Sequence, residues 1–254
     1  MEFIDSHCHL PMIESEGGVE EILSNASKNA VTGMLCVSID MESFPDVIEL
    51  ARRYDTVQAS VGIHPNTELE EDIDVDEMTK WGQDPDIVAI GETGLDYFRS
   101  EGDLEWQRKR FRDHIQVAKS VDKPLIVHTR DAKQDVIRLL REEGADQVGG
   151  VMHCFVDDID TAMQAIELNF YISFSGIVTF KNATDIKEVA KKVPEDKFLI
   201  ETDSPYLAPM PFRGKQNQPA YVRHVAEHIA DLRGIPLERV AELTTESYKR
   251  LFIN

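Results

Sequence analysis

Short apolar, β-rich runs recur along the whole chain, at 3–9, 33–39, 57–64, 87–93, 124–128, 149–155, 170–175 and 198–203. Between them the apolar positions change to helical spacing. Phe111, Ile115 and Ala118 share one face, as do Val136, Ile137 and Leu140. Near-continuous apolar strands alternating with amphipathic helices predict a parallel sheet covered on both sides. Eight such units predict the α/β class and a single (β/α)8 TIM barrel, whose usual length the 254 residues match. No GxGxxG follows the first strand, which removes the main dinucleotide-binding alternative. With no linker or internal repeat, one domain over residues 1–254 is expected. The acidic stretch 68–77 reads as a solvated loop leading into a helix.

Composition narrows the class. A hydrophobic content of 42% is enough for a large core, and no apolar run approaches the length of a membrane span. The first residues show neither a basic region nor an apolar signal core, so a cytoplasmic protein is expected. Three cysteines, Cys8, Cys36 and Cys154, each in an apolar setting, read as buried thiols and not as a disulfide framework. The net charge of −20, from 47 acidic and 27 basic residues, argues against broad non-specific binding to duplex nucleic acid. A nucleic acid substrate held at one mouth by metal and a few local cations is compatible with it.

Candidate chemistry gathers at the C-terminal ends of the strands, where barrel active sites are built. The first strand ends in Asp5-Ser6-His7-Cys8-His9, and alternation puts His7 and His9 on one side with Cys8 pointing away. Strand four ends at Gly91-Glu92-Thr93-Gly94-Leu95-Asp96-Tyr97, strand five at His128-Thr129-Arg130, strand six at His153-Cys154-Phe155, and strand eight at Glu201-Thr202-Asp203-Ser204-Pro205. Four imidazoles and several carboxylates converging on one mouth predict a shared metal site, because unpaired buried carboxylates there are costly without a cation. A zinc-protease-like string, His224-Val225-Ala226-Glu227-His228, is set aside. Its histidines are expected to lie opposite the buried stripe of Val222, Val225, Ala226 and Ile229, facing water. His114, in the helix after strand four, reads as a surface or helix-packing residue.

Together these strings resemble the TatD family, metal-dependent deoxyribonucleases of the amidohydrolase superfamily. The resemblance runs from residue 5 to residue 219 and takes in Gly62-Ile63-His64-Pro65 and Pro211-Phe212-Arg213-Gly214-Lys215-Gln216-Asn217. Position by position it implies two divalent cations (zinc, manganese or magnesium). His7, His9 and Asp203 would hold one, His128 and His153 the other, with Glu92 bridging. Imidazole donors suit zinc or manganese better than magnesium. Catalytic roles fall to Asp203, as acceptor of a water proton, and to Glu92. Glu201, two residues before Asp203 on the same side of the strand, is expected to touch the metal shell or, preferably, to orient His7 or His9 from behind.

For substrate binding the expected residues are His64, Arg130, Arg213 and Lys215, with Gly214 freeing the loop backbone and Asn217 adding a polar contact. Tyr97, Phe98 and Tyr206 are either packing residues or stacking surfaces for bases. The substrate implied is DNA, as single strands or ends, cut exonucleolytically from 3′ to 5′. Hydrolysis of an ester or amide, as in a D-aminoacyl-tRNA deacylase with tRNA as partner, is the alternative, and a non-catalytic metal-binding scaffold a third. No protein partner is implied.

Overall fold

The computed structural model describes residues 1–68 and 73–253. Eight parallel strands, β1 (Phe3–Cys8), β2 (Val31–Cys36), β3 (Val57–Val61), β4 (Ile87–Asp96), β5 (Leu125–Arg130), β6 (Gly150–Met152), β7 (Phe170–Phe174) and β8 (Phe198–Ile200), pair in sequence order. The α-helices among the described residues are α1 (Gly18–Lys28), α2 (Phe44–Arg53), α3 (Val75–Gly82), α4 (Glu105–Val121), α5 (Lys133–Glu142), α6 (Ile159–Glu167), α7 (Thr184–Lys192), α8 (Val222–Arg233) and α9 (Leu237–Phe252). The architecture is the TIM barrel that the alternation predicts, with the metal-type residues clustered near its C-terminal face. Part of the acidic stretch 68–77 lies outside the described residues. Its C-terminal end starts α3, where the Asp74 carboxylate accepts the Glu77 N–H.

Two apolar layers hold the barrel. The larger lies between strands and helices. Inside, Ile4, Leu35, Ala89, Ile126, Val151, Tyr171 and Leu199 fill the lumen from seven strands. Tyr248 and Phe252 of α9 join this inner layer, and the Tyr248 hydroxyl donates to Gln58 of β3. The candidate metal-binding residues lie at the other end of the lumen.

The seam between β1 and β8 closes differently from the other seven. Two backbone bonds join it near the mouth, Asp203 N–H to His7 O at 2.9 Å and His9 N–H to Ser204 O at 2.8 Å. Deeper, side chains substitute for the ladder. The Asp5 carboxyl takes the Thr202 N–H at 2.8 Å and the Thr202 hydroxyl at 2.6 Å, while the Ser6 hydroxyl donates to Ile200 O at 3.0 Å. This is why β8 stops at Ile200, three residues before the apolar pattern suggests: Thr202 N–H goes to a side chain instead of a strand carbonyl.

β4, in contrast, runs three residues past its expected end, pairing Gly94 with His128, Leu95 with Thr129 and Asp96 with Arg130. Gly94 permits this. Its φ is +131°, and a Cβ there would sit 2.0 Å from the His128 carbonyl oxygen. Gly94→Ala is expected to cost about 3 kcal/mol through backbone strain and overpacking. That corresponds to a fall of about 6–12 °C in thermal midpoint for a chain of this size. A midpoint within 2 °C or so of wild type by circular dichroism would contradict the close approach.

Candidate metal centre

Glu92, on β4 and almost fully buried, stands at the centre of the mouth. Its Oε2 faces His7 Nε2 at 3.4 Å and His9 Nε2 at 3.8 Å. Its Oε1 faces His153 Nε2 at 2.9 Å, His128 Nδ1 at 3.1 Å and His64 Nε2 at 3.5 Å. Asp203 closes the first side, with Oδ1 3.5 Å from His9 Nε2 and 3.8 Å from His7 Nε2. It has a left-handed backbone (φ +55°) immediately past the seam bond, so strand alternation no longer applies to it.

Distinct clusters suited to divalent cations follow from this geometry. His7, His9 and Glu92 form one, and His64, Glu92 and His128 another, with His7, His153 and Asp203 as an overlapping third group. Thus the two oxygens of Glu92 face opposite clusters. The expected residues His7, His9, Glu92, His128, His153 and Asp203 all meet here, and His64 joins the second side.

Outer hydrogen bonds orient the imidazoles. The Val37 carbonyl takes the His9 Nδ1–H at 3.0 Å, leaving the Nε2 lone pair directed inward. Glu201 Oε1 takes the His153 Nδ1–H at 3.2 Å, with the same result at His153 Nε2. Asp96 Oδ2 takes the His128 Nε2–H at 3.2 Å, so that His128 presents Nδ1. His64 is the opposite case. Its Nδ1 accepts the Asn66 N–H at 3.1 Å, so a neutral His64 carries its proton on Nε2 and turns a donor, not a lone pair, toward Glu92. His7 stacks on His153 with ring centroids 3.9 Å apart.

Lone pairs of three imidazoles aimed at two carboxylates repel one another unless positive charge lies between them, and the donor set therefore fits divalent cations. The electrostatics agree. Burial opposes ionisation of Glu92, but His153, His64 and His128 outweigh it and hold the carboxyl well below its ordinary value. Burial likewise opposes charge on His153, yet Glu92 and Glu201 drive its imidazole well above the ordinary value. His9 and His128 also move up against burial, drawn by Asp203 and Glu92 and by Asp96 and Glu92 respectively. The field of the carboxylates gathers positive charge, for which protons and metal compete.

Several expectations need correcting. Glu201 reaches neither His7 nor His9; it binds His153 and the Cys154 N–H (2.7 Å), because the left-handed turn at Asp203 sends the two carboxylates different ways. Asn217 is spent internally, its amide donating to the Thr202 and Tyr206 carbonyls at 2.8 and 2.6 Å. His224 and His228 are half-buried, not water-facing. His224 Nδ1 lies 2.9 Å from Glu227 beneath the stacked rings of Phe212 and Tyr221, and His228 bonds the Val178 backbone. Of the two expectations for His114, packing holds: it is fully buried, its Nδ1–H donates to the Arg110 carbonyl at 2.8 Å and its Nε2 accepts the Ile63 N–H at 3.0 Å, pinning the chain next to His64.

Above the cage a cavity of about 610 Å³ opens, lined by His64, Arg130 and Tyr206 among others. Arg213 and Lys215 are exposed and do not line it; Arg213 lies over Phe180. Tyr97 is tied to Asp135 by its hydroxyl, whereas Phe98 and Tyr206 are exposed. Cys8 and Cys36 are buried thiols, and Cys154 is half-buried with Sγ 3.2 Å from the Ser175 hydroxyl. No described helix is long and apolar enough to cross a membrane.

Asp96 was within reach of sequence reasoning but was given no role. Glu92, Gly94 and Asp96 share a strand face by alternation, so a β4 extended by three residues would have paired Asp96 with the site.

Residues 4–253 match the family of TatD-related DNases. The chain belongs to the TatD family. Among its relatives, the chain is 44% identical to an uncharacterised metal-dependent hydrolase of Escherichia coli (strain K12), YcfH, over 99% of this chain and 96% of that one. Against YabD of Bacillus subtilis (strain 168), described in the same words, identity is 42% with 98% of both chains covered. The crystal structure of YjjV, a TatD homologue of E. coli K12, superposes with a TM-score of 0.93 at 28% identity, covering 98% of this chain and 97% of that one. Membership makes this chain a metal-dependent hydrolase.

Two outcomes test the supporting bonds. Asp96→Asn is expected to weaken the cation on the His128 side by about 10–100-fold, leaving the His7–His9 side within about twofold. Competitive zinc titration against a chromophoric chelator reads both, and equal loss at the two sides would refute the assignment. His114, pushed down to about 4 by burial, supports stability fully above its ordinary value of 6.5, and that support is lost as pH falls from 6.5 toward 4. The wild-type midpoint should therefore drop further between pH 7.5 and 4.5 than that of His114→Gln; parallel drops would count against a neutral His114.

Proposed function

We propose that this TatD-family hydrolase is a deoxyribonuclease that cleaves phosphodiester bonds of DNA exonucleolytically, 3′ to 5′, at single strands or frayed ends. In this reading residues 1–254 act as one domain, in the cytoplasm; the three free cysteines suit a reducing compartment. The observation that carries the reading is the cavity itself. A pocket of about 610 Å³ ends on a cage with two cation clusters, and Arg130 lines its wall. Such a pocket accepts a strand terminus and excludes the side of a duplex. The description of the matching family as DNases supports the same substrate.

The cations, when bound, lower the pKa of a water and neutralise charge on the phosphoryl oxygens. His7, His9 and Asp203 would hold one cation and His128 and His153 the other, with Glu92 between them. Asp203 is the proton acceptor: both carboxylates line the cavity, but its side chain is 15% exposed against 3% for Glu92, so it is the more open to a water there. It takes one proton from the attacking water as the new P–O bond forms. The bond to the departing sugar oxygen breaks, and that oxygen recovers the proton from Asp203. His64 turns its Nε2–H toward the same space and donates to a phosphoryl oxygen. Arg130, on the cavity wall, offers a guanidinium to the backbone of the bound strand. Glu201 holds His153 in the tautomer that leaves Nε2 free. Arg213 and Lys215, on the exposed loop after β8, are left to guide DNA arriving from outside the cavity.

Zinc- or manganese-loaded protein should shorten a 5′-labelled single strand stepwise, stop on chelation and recover on metal addition. Asp203→Asn should lower the rate by about 10²–10⁴-fold with an unchanged circular dichroism spectrum. An intact strand with every metal, alongside release of amino acid from charged tRNA, would overturn the nuclease reading.

A further inference from the structure

Most arginines of this acidic chain are neutralised in place. Arg52, Arg53, Arg108, Arg112, Arg138, Arg223, Arg239 and Arg250 each sit within ion-pair distance of at least one carboxylate. Arg99 and Arg130 are different. Both line the cavity, and neither has a carboxylate within 4.0 Å among the described residues. In a protein of net charge −20, two unspent guanidiniums at one wall of the mouth are the local exception to a field that repels anions.

The Arg130 side chain and the Arg99 backbone are both held in place. The Arg130 guanidinium lies 4.0 Å above the ring of Phe98, whose side chain is otherwise 60% exposed. The backbone N–H groups of Phe98 and Arg99 both donate to Asp96 Oδ1, at 3.0 and 2.9 Å, while Oδ2 of the same carboxylate holds His128. One buried side chain thus ties the arginine-bearing loop to the metal cage. Arg130 stands two residues beyond His128 on β5, about 6.6 Å further out along the strand. The pair lies above the cage rather than in it. The cavity lining also contains apolar side chains, Met12, Val156, Ile177 and Leu207.

We propose that Arg99 and Arg130 form a second phosphate subsite, which takes the phosphodiester next along the strand from the one at the cations. This rests on the nuclease reading above and extends it: the preferred substrate is an oligonucleotide with a flanking phosphate, not an isolated phosphodiester. A guanidinium stacked on an aromatic ring loses little freedom on binding and meets phosphate oxygens with two parallel N–H donors. The anionic backbone runs along the β4–β5 wall, leaving the base to the apolar part of the lining.

The test compares two fluorescent single strands by anisotropy with zinc-loaded protein. Both carry a slowly cleaved phosphorothioate at the 3′-terminal linkage. The next linkage is a phosphodiester in one and an uncharged methylphosphonate in the other. Wild type should bind the uncharged version about tenfold more weakly, the loss of one charged hydrogen-bonded contact. Arg130→Gln and Arg99→Gln should each weaken binding to the charged strand by about three- to tenfold. Each variant should also show a smaller penalty for the methylphosphonate than wild type. Arg141→Gln, the same charge change at an exposed position in the last turn of α5, should match wild type in both respects.

The proposal fails if either mouth variant keeps the wild-type penalty, if Arg141→Gln shifts binding as much, or if wild type binds neither strand. Failure of the nuclease reading looks different: no cleavage of an unmodified strand with any metal, whatever the binding pattern.

Discussion

A buried carboxylate needs a positive counterpart, and the whole mouth of this barrel is arranged around that need at Glu92. It is almost without solvent, and five imidazoles surround it, each from a strand end or the segment just beyond one. Among the described residues, neither oxygen has a Lys or Arg side chain within ion-pair distance. Charge compensation must come from protons or metal, and the inward-facing lone pairs of His9, His128 and His153 favour metal. Because the oxygens face opposite sides, the same residue both separates and joins two cation sites.

What distinguishes the imidazoles from one another lies behind them. A carbonyl at Val37, a carboxylate at Glu201 and another at Asp96 each capture one ring proton and so decide which nitrogen looks inward. At His64 a backbone N–H from Asn66 reverses the choice. Four histidines of identical chemistry thereby differ in what they present to the mouth, three a lone pair and one an N–H. Second partners of this kind also pass the geometry outward: Asp96 serves His128 with one oxygen and the Phe98–Arg99 backbone with the other.

The alternation of strands and helices, and the convergence of His7, His9, Glu92, His128, His153 and Asp203, were legible because each rests on a local period or on strand order. The less legible parts depend on contacts between distant segments. The early end of β8 follows from Asp5 capturing Thr202, and no pattern within 198–203 announces it. The true partner of Glu201 is hidden by the left-handed turn at Asp203, which breaks the alternation on which the expectation rested. His114 lies on an amphipathic helix where either surface or core placement fits the spacing; only the Ile63 N–H across from it settles the matter. Arg213 and Lys215 look like phosphate binders by composition, yet neither lines the cavity, although Tyr206 and Leu207 earlier in the same loop do.

The last seam of the barrel has a consequence for how the protein comes into being. His7 and Asp203, nearly two hundred positions apart, share a backbone bond as well as a place in the cage. A nascent chain that has emerged only as far as Ile200 lacks both the ring closure and the second carboxylate. Its early histidines wait, unable to form the complete site, until the ribosome has delivered almost four-fifths of the polypeptide. Capture of cation by the finished cage therefore follows cylinder closure, and premature termination anywhere before that point leaves a chain without the complete metal cage.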